Sequence, residues 1–415
     1  MPVGDAAAQA DARLFDLAQA AFGGVPPAKL GLAVSGGSDS MAMLHLFARA
    51  GWTVQAATVD HRLRPEAADE AAFVARVCST LGVLHSVLVW DHGAVRGNVM
   101  QAASAARYRL LADWAQAKGI GTVALAHTAN DQAETFLMGL SRAAGLDGLT
   151  GMRPEFLHDG VTFLRPFLQA SRSDLRALLL RRGLEWVDDP TNDNDRYART
   201  RARRALQRLR PLGITVDGLT TVIHNLAMAQ RALSDAVARA GIETVHQVAG
   251  ALTFQRQDFL NHGPEVDRLL LQDMLGWMAG LAHAPRADSI ANLCHAIAQG
   301  RDATLAGCRF RHRDGSYTMT REQRAVGGAV PANALWDRRW RVTGPASEGA
   351  TLGALGAEGL RALPDWRATG LPREVLMVTP AVWLGERLIA APVAAPSPLW
   401  YARLDASRRL FGLSH

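Results

Sequence analysis

Hydrophobic and polar positions follow two alternating periods over the first half of the chain. Short apolar runs predict four strands, at 30–34, 53–59, 84–89 and 122–126. Between these runs the apolar positions recur with helical spacing. The helices predicted in this way are 41–50, 66–81, about 98–118 and 131–142. Strands separated by helices of ten or more residues indicate βαβ units and a parallel sheet covered on both faces.

The alternation of strand-like and helix-like segments becomes less regular after Gly145, and the chain is then predicted to be mainly helical. Further helices are predicted at 171–182, from Leu219 onward, at 266–278 and at 289–298. The segment 303–322 alternates around Asp314-Gly315, which is a strong signal for a β-hairpin. The residues after 325 are rich in glycine and proline and hold five of the ten tryptophans. We expect them to form a small β-rich domain.

These elements predict an α/β fold in which a parallel, doubly wound sheet is followed by a helical domain and a small β-rich carboxyl-terminal domain. A chain of 415 residues is too long for one ordinary core, so two or three domains are expected. The three predicted domains are residues 1–213, 214–325 and 326–415. In parallel sheets ligands bind at the carboxyl ends of strands, and the polar residues here follow the predicted strands at that edge.

Composition excludes several classes of protein. Hydrophobic residues make up 48% and charged residues 20% of the chain, which is typical of folded globular proteins rather than of disordered ones. No apolar stretch approaches the ~18 residues that a membrane helix needs. The amino terminus carries Asp5 and Asp11 where a signal peptide would be basic and then apolar. Three cysteines cannot form a fully paired disulfide framework. A cytoplasmic protein is therefore expected.

The positive charge is concentrated in one segment. Net charge is +6, and Lys29 and Lys118 are the only lysines among the 45 basic residues, which leaves 43 arginines. Codon usage in a G+C-rich genome explains a preference for arginine over lysine. It does not explain why seven arginines and no acidic residue lie between Arg196 and Arg210. A block of one sign indicates contact with a polyanion such as a nucleic acid.

The most specific motif is Ser-Gly-Gly-Ser-Asp-Ser at 35–40, between a predicted strand and a predicted helix. Its glycines allow close approach to a phosphate, and the N–H groups at the start of the helix supply positive potential. Asp39 would repel a phosphate unless Mg²⁺ lies between the two. The segment is not a Walker A loop, because no Gly-Lys-Ser/Thr follows at the required spacing.

This motif resembles the loop of the N-type ATP pyrophosphatases, which cleave ATP between the α- and β-phosphates and adenylate a substrate oxygen. Further motifs, in family order over about residues 29–210, resemble the tRNA(Ile)-lysidine synthase branch. Residues 59–64 are similar to VDHGLR, 103–108 to ARxxRY, 127–135 to HHxDDQxET, 142–149 to RGxGLxGL, 165–168 to RPLL and 188–203 to DDPSNxDxxxxRNxxR. Singly most of these are weak, but the ordered set is specific.

The resemblance implies functional residues where this chain matches the family motifs. ATP would be bound by Ser35, Gly36, Gly37, Ser38, Asp39, Ser40, Asp60, His61 and His127. Catalysis would depend on Asp39, Arg107, Asp131, Glu134 and Arg199. Mg²⁺ would be held by Asp39 and Asp131, and the tRNA backbone by Arg201, Arg203, Arg204 and Arg208.

These residues also have simpler explanations. Asp131 and Glu134 share one face of a helix start, where they could hold Mg²⁺ or an incoming ammonium group and take its proton; acidic residues there are also favoured by the helix dipole. Asp60-His61 could meet the adenosine of ATP or simply end a strand. Arg107 and Arg199 could neutralise phosphate charge, although a single arginine among 43 is weak evidence.

The chain departs from the family pattern at five positions. They are Arg62 for a glycine, Ser104 for an arginine, Asn130 for an aspartate, Ala143 for a glycine and Thr200 for an asparagine. Because Asn130 carries no charge, metal binding should depend on Asp39 and Asp131. None of the five changes affects the phosphate loop or the pair of carboxylates, so the expectation of an enzyme stands.

The resemblance implies a ligase that forms a carbon–nitrogen bond. ATP would adenylate the C2 oxygen of the wobble cytidine in an isoleucine tRNA with a CAU anticodon, and L-lysine would then displace AMP. A tRNA thiolase of the same superfamily is an alternative, although Cys78, Cys294 and Cys308 are scattered and form no CxxC pair. A tRNA-binding scaffold without catalysis is another. The sequence leaves open whether the chain forms a homodimer and what residues 330–415 bind.

Overall fold

The computed structural model describes residues 3–62, 66–91, 93, 99–188, 198–281, 284–345, 348–405 and 410–411. The chain divides into two compact units, Met1–Gln230 and Arg231–His415. The two domain boundaries predicted above, at 213 and 325, remain a prediction. Among the residues described, no helix combines the length and the apolar character needed to cross a membrane.

The first unit is built mainly from alternating strands and helices, as the hydrophobic pattern predicts. The elements are α1 (Val3–Ala20), β1 (Leu30–Ala33), α2 (Ser38–Arg49), β2 (Val54–Asp60), α3 (Ala67–Thr80), β3 (Leu84–Val89), α4 (Val99–Ala117), β4 (Thr122–Leu125), α5 (Ala129–Leu140), α6 (Leu146–Leu149), β5 (Glu155–His158), β6 (Val161–Leu164), α7 (Arg172–Arg181) and α8 (Ala198–Leu209). The predicted strands and helices are confirmed to within a few residues. The helices α1 and α6 and the short strand β5 are additions that the pattern did not predict.

The six strands form one sheet in the order β3-β2-β1-β4-β6-β5. All neighbouring pairs are parallel except β5 and β6, which form an antiparallel pair at one edge. The strand order changes direction between β1 and β4, because the chain adds β2 and β3 on one side and β4 on the other. Such a switch point opens a crevice at the carboxyl ends of the two strands, where ligands of doubly wound sheets bind.

Both faces of the sheet are covered by apolar side chains. On one side Leu14 of α1, Phe47 of α2 and Leu178 of α7 belong to a single buried cluster. On the other side Leu111 and Trp114 of α4 belong to a second one. The predicted doubly wound architecture is therefore confirmed.

Gly31 allows α4 to approach the centre of the sheet closely. A Cβ atom at this position would lie 2.9 Å from Cζ3 of Trp114 and 3.0 Å from Cγ2 of Val123. Trp114 itself is 6% exposed. The indole ring therefore occupies the space that a side chain on β1 would need.

The remaining elements extend from the end of the first unit through the second. The helices are α9 (Val216–Thr244), α10 (Arg256–Phe259), α11 (Pro264–Ala279), α12 (Ala287–Ala298), α13 (Gly356–Arg361) and α14 (Arg373–Met377). The strands are β7 (His246–Val248), β8 (Ala251–Gln255), β9 (Ala303–Leu305), β10 (Cys308–Arg313), β11 (Ser316–Arg321), β12 (Val330–Pro331), β13 (Trp340–Thr343), β14 (Thr351–Ala354), β15 (Pro380–Leu384), β16 (Arg387–Ala390) and β17 (Tyr401–Leu404).

The hairpin predicted at Asp314-Gly315 is confirmed. Both residues have positive φ, 48° and 81°, as a tight two-residue turn of this hand requires. The hairpin is part of a five-stranded antiparallel sheet in the order β7-β8-β11-β10-β9. Two smaller antiparallel sheets, β12-β14-β15-β16 and β13-β17, follow, in agreement with the predicted β-rich end of the chain.

Candidate active site

The phosphate-loop motif joins β1 to α2 at the switch point of the sheet. Gly36 has φ of 89°, a left-handed conformation that glycine adopts without strain. The Ser40 hydroxyl accepts a hydrogen bond from the Ser35 N–H (3.1 Å) and donates one to the Gly37 carbonyl (3.0 Å). The loop is therefore held in shape by its own serine. The first N–H groups of α2 lack intrahelical acceptors, so the loop is suited to bind an anion.

Three predicted carboxylates meet around one arginine beside this loop. Arg172, the first residue of α7, extends its guanidinium between α2 and α5. Its Nε lies 3.1 Å from Oδ2 of Asp39, its Nη2 lies 3.2 Å from Oδ1 of Asp131, and its Nη1 lies 3.4 Å from Oε1 of Glu134. Asp39, Asp131 and Glu134, which we call the carboxylate cluster, are thus brought together as the motifs predicted. Arg172 was not predicted.

Asp131 has two roles, one for each carboxylate oxygen. Oδ2 accepts hydrogen bonds from the N–H (2.9 Å) and the hydroxyl (2.8 Å) of Thr128, which caps the start of α5. Oδ1 faces Arg172. The helix-start explanation considered from the sequence therefore applies to one oxygen, and the other remains directed into the cluster.

The environment shifts the pKa values of Asp39 and Asp131 in opposite directions. Burial alone would raise the pKa of Asp131, but Arg172, the Thr128 N–H and Arg199 together lower it. Burial raises the pKa of Asp39 despite the nearby Arg172, and the negative charge of Asp131 adds to this effect. Asp131 is therefore the more firmly ionised of the two, and Asp39 gains most from a further cation.

His127 is held neutral. Burial, with Arg107, Arg165 and Arg199 close by, lowers its pKa to about 3 although Asp131 opposes the shift. Its Nδ1 accepts a hydrogen bond from Nε of Arg165 at 3.2 Å. The proton of the neutral ring must then be on Nε2. His127 is thus fixed as a hydrogen-bond donor through Nε2.

Arg107 lies against Tyr108 at the same end of the sheet. Its Nη2 is 3.4 Å from the phenol oxygen, and its guanidinium carbon is 5.0 Å from the centre of the ring. Burial would raise the pKa of Tyr108, but Arg107 and Arg165 together lower it. Within the described part of the chain the buried Nε of Arg107 has no hydrogen-bond partner. This donor remains available to a ligand.

The arginines of α8 divide between two faces of the helix. Thr200, Ala202 and Leu206 are buried, and α8 packs against α5. Arg203 is half-buried and places Nε 3.0 Å from Oε1 of Glu134. Arg199 is exposed, yet close enough to influence the charges of Asp131 and His127. The side chains directed to solvent are Arg201, Arg204 and Arg208.

Asp60 and His61 lie at the end of β2, next to β1 in the sheet. Asp60 Oδ1 accepts the N–H of Arg62 at 2.8 Å, and the His61 ring packs edge-on against Trp90 with centroids 5.9 Å apart. Both residues are half-buried. Asp189, Asn192 and Arg196, which belong to the last family motif, lie outside the described residues.

Two departures from the family pattern occupy left-handed backbone. Arg62 and Ala143 stand where the family has glycine, and each has φ of 50°. Side chains other than glycine adopt this region at a cost. The family glycines thus meet a conformational requirement that this chain satisfies with strained residues.

The donors in the cluster suit Mg²⁺ only in part. Carboxylate oxygens are its preferred protein ligands, and Mg²⁺ usually keeps several waters and binds substrate phosphates as well. Within the described residues no group of three or more His, Cys, Asp or Glu side chains is arranged to share a metal ion. The buried Oε2 of Glu134 also has no partner there. The cluster therefore fits an ion held by one or two carboxylates and by phosphate oxygens.

Comparisons with known proteins agree with the motifs. The PP-loop domain family matches residues 9–209. The tRNA(Ile)-lysidine synthase of Ruegeria pomeroyi is 42% identical over 398 residues, which is 95% of each chain. That of Hyphomonas neptunium is 38% identical over 71% of this chain and 83% of its own.

Among solved structures, a U34-tRNA thiolase from Methanococcus maripaludis with its [4Fe-4S] cluster matches 51% of this chain and 76% of its own. The identity is 14% and the TM-score 0.44. The two lysidine synthases match this chain far more closely, and the first spans nearly its whole length. This chain belongs to the tRNA(Ile)-lysidine synthase family.

Proposed function

We propose that this chain ligates L-lysine to C2 of the wobble cytidine in the isoleucine tRNA with a CAU anticodon, through an adenylated cytidine, releasing AMP and pyrophosphate. Membership of the family supports ATP and a tRNA as substrates. The observation that carries the proposal is the meeting of the phosphate loop and the carboxylate cluster at the switch point. One half of this site suits a polyphosphate, and the other suits a cationic amine.

The first step is adenylation of the cytidine. The C2 oxygen attacks the α-phosphorus of ATP, and the bond to the β-phosphate breaks. The departing pyrophosphate is bound by the loop N–H groups at the start of α2. Arg107, with an unused Nε donor, and Arg199 neutralise the charge that develops at the α-phosphorus. Mg²⁺, held by Asp39 and Asp131, would supply further positive charge at the phosphates.

The second step is transfer of lysine. Its ε-amine must lose a proton before its lone pair can attack C2. Glu134 is the base that we propose, because it is 1% exposed and its Oε2 is a buried acceptor without a partner in the described structure. Attack at C2 breaks the C2–O bond, and AMP leaves with that oxygen. Adenylation is needed because an unmodified ring oxygen is a poor leaving group.

We propose that the tRNA backbone is bound by the exposed face of α8. Arg201, Arg204 and Arg208 are spaced i, i+3 and i+7, so they lie on one stripe of the helix. Arginine side chains on such a stripe neutralise successive phosphates without reading the bases. Arg203, included in this set from the sequence, contacts Glu134, so we propose for it a role in the carboxylate cluster.

A thiolase activity is less well supported. Such enzymes need thiolates as nucleophiles or cluster ligands. The three cysteines lie on α3, α12 and β10, and none of these elements carries a residue of the phosphate loop or of the carboxylate cluster. Burial raises the pKa of Cys78 and of Cys308 to about 11, and it also raises that of Cys294. Free, protonated thiols support a reducing cytoplasmic location rather than a role in catalysis.

The proposal is tested by incubating the protein with ATP, labelled L-lysine and two tRNAs that share the CAU anticodon, one for isoleucine and one for methionine. Nucleoside analysis should find lysidine in the isoleucine tRNA alone. tRNA-dependent exchange of labelled pyrophosphate into ATP should report the first step. Pyrophosphate exchange without lysine incorporation would refute lysine as the substrate. The absence of both activities would indicate a tRNA-binding scaffold without catalysis. Light scattering during the same measurements decides whether the active form is a homodimer.

A further inference from the structure

Arg172 is the most densely engaged side chain of the site. One guanidinium contacts three carboxylates from two helices, namely Asp39 of α2 and Asp131 and Glu134 of α5. The Arg172 side chain is 19% exposed, and the three acids are 18%, 12% and 1% exposed. Arg172 therefore links the carboxylate at the phosphate loop, Asp39, to the pair proposed for the amine, Asp131 and Glu134.

The main chain of Arg172 is fixed as well. Its N–H donates to Oδ1 of Asn130 at 2.8 Å. The preceding Ser171 accepts the Asp174 N–H at 3.1 Å, and its own N–H donates to Oδ2 of Asp174 at 3.1 Å. This reciprocal cap fixes the first turn of α7. Asn130, where the family has aspartate, thus ties the start of α7 to α5.

The charges in the cluster require such a residue. Three carboxylates that are mostly shielded from water repel one another unless cations lie between them. Arg172 and Arg203 are the cations in direct contact with the cluster among the described residues. The Arg172 distances of 3.1–3.4 Å exceed the 2.7–2.9 Å typical of a single charged pair. Lengths of this kind are expected when one guanidinium is shared among three acceptors.

We propose that Arg172 is a positioning residue for both chemical steps, holding Asp39 at the phosphate loop and the Asp131–Glu134 pair at the amine site in one arrangement. This inference rests on the proposed function, because it assigns the two halves of the cluster to its two steps. In this role Arg172 acts through these carboxylates rather than through a contact of its own with ATP, lysine or the tRNA. A lysine could not take its place fully, because an ammonium group is a compact point charge without the fixed fork of donors.

The test compares three variants. Arg172→Ala removes the guanidinium, and Arg172→Lys keeps the charge but not the fork. Arg181→Gln is the matched control, since Arg181 is on the same helix and pairs with Asp11, which keeps Arg182 as a partner. For each variant, pyrophosphate–ATP exchange, the KM and kcat of lysine transfer, and the melting temperature are measured, with and without millimolar guanidinium chloride.

Arg172→Ala should lower both exchange and lysine transfer by about 100-fold, the cost of a misplaced catalytic group, and should raise the KM for lysine. Added guanidinium should restore a measurable part of both rates. Arg172→Lys should fall between Arg172→Ala and the unmodified chain. Arg181→Gln should match the unmodified chain and should not respond to guanidinium. If Arg172→Ala does not fold, Arg172→Lys decides: the loss of kcat should occur at an unchanged melting temperature.

Two results would overturn the inference. One is a variant at Arg172 whose rates fall only as its melting temperature falls, with no guanidinium rescue and with Arg172→Lys equal to Arg172→Ala. The other is normal kinetics in Arg172→Ala. Failure of the proposed function is distinct from both: the unmodified chain would then exchange pyrophosphate without incorporating lysine. In that case the exchange rates alone still decide whether Arg172 positions Asp39.

Discussion

Arg203 Nε lies 3.0 Å from Oε1 of Glu134, although Arg203 is one of the four arginines of the basic block that the sequence assigned to the tRNA backbone. The contact follows from helical periodicity, because α8 turns one face toward α5 and the other to solvent. A segment that looks uniform in charge therefore has two electrostatic environments. Substitutions in this block should separate them.

Arg204→Gln with Arg208→Gln should weaken tRNA binding without changing which tRNA is chosen. Each lost phosphate contact should flatten the plot of log affinity against log salt by up to about one unit. Filter binding across a salt series measures the slope. Arg13→Gln with Arg76→Gln removes the same charge from exposed sites on α1 and α3 and should leave the slope unchanged. Equal slopes in both double variants would rule out α8 as the phosphate-binding face.

Asp39→Asn should abolish turnover while the protein stays folded. The change keeps the shape of the side chain but removes the charge that faces Arg172 and, in the proposed mechanism, the metal at the phosphates. Pyrophosphate–ATP exchange and circular dichroism measure the two effects. Asp16→Asn, at an exposed position of α1, is the control. Near-normal exchange in Asp39→Asn would remove Asp39 from the pyrophosphate site.

Glu134→Gln should slow lysine transfer more than adenylation, since only the second step needs a deprotonated amine. Adenylated tRNA should then accumulate in a single-turnover reaction, which gel analysis of the tRNA detects. The amide still occupies the space between Arg172 and Arg203. If both steps fell equally, Glu134 would act at the phosphates instead of at the amine.

His45→Leu should make the first unit more resistant to acid. His45 is 4% exposed, and burial with nearby Arg49 and Arg182 lowers its pKa to about 4 from 6.5. Because the unfolded chain binds the proton more readily, the free energy of unfolding falls as pH drops from about 6.5 to 4. The loss is about 3 kcal/mol at most. Urea titrations at several pH values should show a shallower decline in His45→Leu. His246→Leu, at an exposed site, should keep the full decline.

Ala143→Gly should stabilise the protein by about 1 kcal/mol, because glycine relieves the left-handed conformation at φ of 50°. Ala105→Gly, at an exposed position within α4, should have the opposite effect and cost about 1 kcal/mol. Thermal unfolding of the two variants compares them directly. Destabilisation of both would mean that the backbone at 143 is not strained.

Local pattern was sufficient for the parts of the site that are continuous in sequence. The phosphate loop follows a buried strand and opens a helix, and Asp131 and Glu134 lie one turn apart on α5, so periodicity alone brings each set together. Arg172 could not be found in this way. It is separated by 133 residues from Asp39 and by 41 from Asp131, and its contacts depend on how α7 packs beside α2.

The helix α1 was missed for a related reason. Its alanine-rich start carries few large apolar side chains, and the helix gains its stability from tertiary packing of Leu14 and Ala18 into the core. The positive φ at Arg62 and Ala143 was likewise hidden, since neither residue type signals a left-handed backbone. Both residues stand where the family has glycine, so the comparison with the family motifs marked two positions of left-handed backbone that composition and periodicity did not.

The close packing of Trp114 on the backbone of Gly31 restricts which substitutions related chains can accept at these two positions. A methyl group at 31 would have to displace an indole ring or the side chain of Val123, so a larger residue on β1 can be accepted only after α4 has lost bulk at 114. The two positions cannot drift independently, and substitutions in related chains should appear there as correlated pairs. Covariation between position 31 on β1 and position 114 on α4 is therefore expected, although the two positions are 83 residues apart in the chain.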